Sequence, residues 1–240
     1  MRAVKKGGGH YHLNLRHASY LGEIAAGTAA AAAVSWNNFA HKEETRHACW
    51  HEQFGLCAFS ETALDNNDLG MHLDHVEPKS LNQARTFDHA NLLLCAIDSD
   101  RLKGMAKSEV FGGHYRKDGY HAADFVTPLW ADCRRFFHYT SSGEIEPAFG
   151  LSADDARKAY YTISILNLNA PILVRRRRRW LEELELEIDN LLHDPDVLRH
   201  FAEVELCDTQ GRLRPFHSAV RDRFGHLGED TIALRCPVCV

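Results

Sequence analysis

The sequence predicts an α+β protein in which a small strand-containing core is framed by helices. Three observations carry this. Residues 56 to 107 are short apolar runs cut by Asn, Asp, Gly and Pro, the texture of brief strands and turns. On both sides the spacing becomes helical, giving an N-terminal helical arm over 1–49, a core over 50–110 and a mainly helical region over 111–240. Hydrophobic content of 45% and charged content of 25% sit at globular averages, so a chain of 240 residues can bury a core without staples.

Taken in order, alanine content over residues 18 to 34 favours a helix, and residues 36 to 54 favour a second that stops at Gly55. "HLDHV" and "NLLLC" are the strand-like pieces of the core. "FFHYTSSGEIEP", residues 136 to 147, reads as a hairpin around Ser141-Ser142-Gly143. Ser152 is placed to cap a helix running into "AYYTISIL". The longest helix is expected from near Val174, with Leu181, Leu184, Ile188, Leu191 and Leu192 at helical spacing, hence one buried face.

Charge and cysteine usage narrow the function. A net charge of −5 is wrong for a protein that coats nucleic acid by bulk electrostatics, so any such contact must be local or assisted. One candidate patch is Arg175, Arg176, Arg178 and Arg179 within a run of five arginines. Consecutive helical residues point all round the axis, so two or three at most can face one partner, DNA or protein. The longest apolar run, residues 24 to 34, is about half a membrane span, and no export signal is expected. The seven cysteines therefore read as thiols or metal ligands in a reducing, cytoplasmic compartment, with Cys49, Cys133 and Cys207 as ordinary buried thiols. His47 and His51, one helical turn apart, could clasp a metal, although a surface pair of histidines is the commoner case. No Gly-x-x-x-x-Gly-Lys-Ser/Thr loop is present, so nucleotide control would come from another chain.

"GMHLDHVEPKS", residues 70 to 80, concentrates the candidate chemistry in His72-Leu73-Asp74-His75. Alone, this tetrad is equally a polar strand end. Asn91, Cys95 and then Asp98, Ser99, Asp100 and Lys103 follow it, and that order resembles the HNH, or ββα-metal, nuclease motif over about 50 residues. Phosphodiester hydrolysis needs a base for the attacking water, a hard cation and a group that orients the base. The resemblance implies His75 as general base and Asp74, on the other face of the strand, as metal ligand. It implies Asn91 as the residue that fixes the His75 imidazole, and Lys103 as a phosphate contact. Asp100 is favoured for the second metal oxygen because a carboxylate suits Mg²⁺ or Mn²⁺, with Asp98 and Ser99 as alternatives. Where relatives carry two Cys-x-x-Cys knuckles, this chain has Cys57-Ala-Phe-Ser60 and Cys95-Ala-Ile-Asp98. A structural zinc is therefore not expected, the remaining possibility being a cluster of Cys57, Cys95, Cys236 and Cys239.

Longer stretches, among them "MRAVKK", "QFGLCAFSE", "YTSSGEIEP", "ILNLNAPILVRRR" and "PFHSAVRDRFG", are similar to the HNH nuclease subunit of Septu-type anti-phage defence systems, also found beside some retrons. This implies metal-dependent cleavage of DNA by a subunit that works with an ABC-type ATPase partner. The alternatives are a catalytically degenerate regulatory subunit of that complex and a free-standing restriction-type nuclease.

Overall fold

The computed structural model describes residues 1–65 and 68–236. Among these, α1 (Tyr11–Ala25), α2 (Ala32–Asn37) and α3 (Lys42–Glu52) form the N-terminal arm. The helix expected over 18 to 34 is thus broken in two. Gly27 takes a left-handed conformation, φ +70°, and the alanines after it carry no side chain large enough to tie that stretch to a core, so propensity alone does not hold it helical. α1 instead starts earlier, where Leu13 and Tyr20 are both fully buried. α3 is shorter than expected but ends, as the sequence suggests, just ahead of Gly55, which sits at φ +73° with its Cα face against the Trp50 indole.

β1 (Met71–His75) and β2 (Leu92–Ala96) pair antiparallel, Asp74 opposite Leu93 and His75 opposite Leu92. β2 is buried along its whole length, with α3 packed on it. Two short helices follow, α4 (Ser99–Leu102) and α5 (Gly113–Arg116). The hairpin forms as read, from β3 (Phe137–Tyr139) and β4 (Ile145–Pro147). So does the Ser152 cap, whose hydroxyl accepts the Asp155 N–H at 3.1 Å at the start of α6 (Ala153–Ile165).

α7 (Pro171–Leu191) begins three residues before the expected Val174 because Pro171 occupies the first helical position, where its fixed φ helps and its missing N–H costs nothing. Its buried stripe is Leu173, Arg177, Leu181 and Leu184, whereas Leu192 lies beyond the helix and is exposed. Arg177, the middle of the five arginines, is fully buried. It donates to the carbonyls of Gly143 and Leu168, so it ties the hairpin turn to α7, and burial pushes its guanidinium down to about 10.

α8 (Pro195–Leu206), α9 (His217–Phe224) and α10 (His226–Arg235) pack on one another, and α8 and α9 pack on α7. Cys207 follows the last residue of α8 and Cys236 the last of α10, and the two are joined by a disulfide with Cα atoms 5.4 Å apart. That corrects the reading of Cys207 as a free thiol and takes Cys236 out of the one zinc cluster left possible: adjacent helices bring their ends together. Cys239 lies outside the described residues. One hydrophobic cluster runs through the arm, the strands and the C-terminal helices. No helix among the described residues is long and apolar enough to cross a membrane.

Candidate active site

The end of β1 directs Asp74 and His75 to opposite sides, as a period of two requires. His75 is buried, 4% exposed. Its Nε2 donates to the Thr86 carbonyl at 2.9 Å, and the Trp36 indole meets it edge to face with ring centroids 4.7 Å apart. Burial pushes its imidazole down to about 4. The ring is therefore neutral at pH 7, and with Nε2 committed to Thr86 the lone pair falls on Nδ1.

Asn91 is fully buried but does not touch His75, contrary to expectation. Its Oδ1 accepts the Glu77 N–H at 2.8 Å, and its Nδ2 donates to the carbonyls of Glu77 (3.0 Å) and Arg85 (3.1 Å). It clamps the loop between the strands, and Thr86, next to Arg85, carries the carbonyl that orients His75. The amide acts on the imidazole through backbone because the adjacent Glu77–Arg85 loop offers closer donors and acceptors. Arg85 reinforces the loop by pairing with Glu77 and Asp88.

Asp74 faces α5. Arg116, itself buried, reaches its carboxylate at 3.3 Å and also donates to the carbonyls of His75 and Val76, both at 2.7 Å. A Cβ on Gly113 would overlap the Asp74 carboxylate, so only glycine lets α5 come this close. The same helix brings His114 against His72, ring centroids 3.9 Å apart. His72 donates Nδ1–H to the Ile97 carbonyl at 2.6 Å. Ile97 holds φ +73°, a costly conformation for a β-branched residue, and this turns its carbonyl toward the two imidazoles. Burial pushes His72 down to about 4 and lowers His114, with Asp74 opposing in both cases. His114 Nε2 is buried and has no hydrogen-bond partner among the described residues.

The second group of expected site residues lies on and beside α4. Asp100 is exposed and accepts from Lys103 at 2.8 Å. Asp98 caps α4, accepting the N–H groups of Asp100 and Arg101, with Gly70 packed against its carboxylate. Ser99 is the exposed first residue of α4. α4 is one turn long and leaves Ser99, Asp100 and Lys103 exposed, whereas the Asp98 carboxylate packs beside the start of β1 and lies close enough to His114 to act on its imidazole. α5 is the helix that closes on β1, displaced along the chain by residues 97–112. The one local trace of it in the sequence is Gly112-Gly113-His114, paired glycines that let the chain come close, followed by a histidine.

At the place of the zinc knuckles, Cys57 and Cys95 are free, buried thiols. Burial pushes the Cys57 thiol up, but hydrogen bonds from Cys95, Ser60 and the Ala96 N–H outweigh it and hold it near 6, while burial and Cys57 push Cys95 up. The four arginines of the candidate patch are each engaged with an acid: Arg175 with Glu109, Arg176 with Asp68, Arg178 with Glu182 and Arg179 with Glu183. Their charge is largely compensated locally.

No three metal-ligating side chains converge among the described residues. Asp74 and His114 are the two donors that could hold a divalent ion here, the buried, unpartnered His114 Nε2 being carried by the helix that closes over the Asp74 carboxylate. A carboxylate with an imidazole suits Mn²⁺ and tolerates Mg²⁺. No protein-family model matches this chain, and no curated protein matches it.

Proposed function

We propose that the chain is a metal-dependent endonuclease of the HNH type that cleaves DNA, acting in the cytoplasm as the effector of an anti-phage defence complex with an ABC-type ATPase. The observation that carries this reading is the pairing, across one strand end, of a neutral, carbonyl-oriented His75 with an Asp74 whose carboxylate meets α5, the helix that carries His114. His75 Nδ1 takes the proton of the attacking water, and the Thr86 carbonyl, already accepting from Nε2, stabilises the imidazolium that forms. Asp74 and His114 would hold Mg²⁺ or Mn²⁺, which when bound neutralises charge on the scissile phosphate and the departing oxygen. Arg116 positions Asp74, and His72 packs against the His114 ring and holds it in place. The net charge of −5 and the locally compensated arginines support a partner that presents the DNA.

A second reading, a regulatory subunit without its own activity, is favoured by two features: His75 is covered by Trp36, and Asp74 is engaged by Arg116. Cleavage of supercoiled plasmid with Mg²⁺ or Mn²⁺, with and without the ATPase, separates the two. The nuclease reading expects metal-dependent cutting in the complex, a loss of about 10²- to 10⁴-fold in His75→Ala, a comparable loss in His114→Ala and near-natural activity in Asp100→Ala. A stable complex that never cuts, under either metal, would leave the regulatory reading.

A further inference from the structure

α3 carries a second arrangement of metal-binding groups, away from Asp74 and His75. His47 and His51 are both exposed, and their Nε2 atoms stand 3.1 Å apart with ring centroids at 4.4 Å. The four-residue spacing puts them on one face of the helix, and Cys49, midway between them and buried against the Leu92 carbonyl, fixes that face outward. Trp50 packs edge to face on His51 at 5.2 Å and is itself covered by the Arg212 guanidinium at 5.3 Å, so His51 is held by its surroundings. Glu43, one further turn toward the helix start, has its carboxylate on Arg46 at 2.7 Å.

Two nitrogens bound to one ion at Zn–N or Ni–N distances near 2.05 Å lie about 2.9 Å apart when cis around a square-planar or octahedral ion and about 3.3 Å apart around a tetrahedral one. The separation of 3.1 Å, held by a hydrogen bond from one Nε2 to the other, falls between these limits, so an ion that replaces the shared proton needs little change in the spacing of the two nitrogens. We propose that His47 and His51 form a two-imidazole clasp for a divalent cation of the Zn²⁺, Ni²⁺ or Cu²⁺ class, its remaining positions open to water or to a side chain of a docked protein. The donor set is all nitrogen, which selects these ions over Mg²⁺. With no third donor converging among the described residues, it is a clasp and not a cage.

Isothermal titration of the full chain with Ni²⁺ in excess Mg²⁺ tests this, with natural protein compared against His47→Gln and His51→Gln. Both positions are exposed, so the variants keep the fold, which circular dichroism checks. The expected result is one equivalent of Ni²⁺ that weakens at least tenfold in either variant and persists in Asp74→Asn. Equal stoichiometry and affinity in the natural chain and both glutamine variants would overturn the proposal, as would loss of that equivalent in Asp74→Asn. Because the readout is Ni²⁺ binding, failure here leaves the Mg²⁺- or Mn²⁺-dependent cleavage reading standing, and failure of that reading leaves the clasp.

Discussion

Asn91 spends its whole amide on backbone, one acceptor and two donors, without solvent and without touching the imidazole it serves. Removing it strands the Glu77 N–H and two carbonyls, so Asn91→Ala should lower stability by about 1–3 kcal/mol and slow cleavage, because the loop bearing Thr86 then loses its clamp. Metal affinity, which the proposed site places on Asp74 and His114, should stay within about threefold of natural, as calorimetry with Mn²⁺ would report; parallel loss of affinity and rate would make Asn91 part of the proposed metal site. The importance of Asn91 could be read from its place ahead of an apolar strand. Its partners could not, since an amide at that spacing reaches either the neighbouring ring or the loop, and only the fold decides which. Arg177 was equally hidden: among five identical residues nothing local tells the chain which one meets the Gly143 carbonyl.

The elements most legible in the sequence are those with a local cause. β1 and β2 follow from alternating or continuous apolar runs between turn residues, the β3–β4 turn from Ser-Ser-Gly, and α6 from its Ser152 cap. α5 has no such signature. It is one turn long, it is separated from β2 by residues 97–112, and its role rests on a tertiary approach that Gly113 alone permits. Gly113→Ala should therefore act as overpacking, costing about 1–3 kcal/mol, and by pushing α5 from Asp74 it should weaken Mn²⁺ binding and cleavage together. A variant that keeps natural stability, measured by urea unfolding, would mean that α5 has room to shift. The Cys207–Cys236 bond was illegible for a related reason: it depends on α8 and α10 lying side by side, which no spacing within either helix encodes.

For the whole molecule, three histidines, the buried His75 and His217 and the half-buried His72, are pushed by desolvation from 6.5 to about 4. Between those values the unfolded chain binds more protons than the folded one, so stability rises with pH and is lost on acidification through that window. Each histidine should account for about 1–2 kcal/mol by pH 5. The carboxylates of Glu52 and Glu61, both near 2 in the folded chain, add their loss only at lower pH. The urea midpoint should thus fall between pH 7.5 and pH 5, and His217→Gln should reduce that fall; a midpoint flat across the range would mean that these rings are not held neutral. The approach of Trp36 to His75 has an optical consequence. A protonated imidazole at an indole edge quenches its emission and a neutral one does so far less, so Trp36, once Trp50, Trp130 and Trp180 are replaced by phenylalanine, would serve as a fluorescent gauge of the charge on the candidate base.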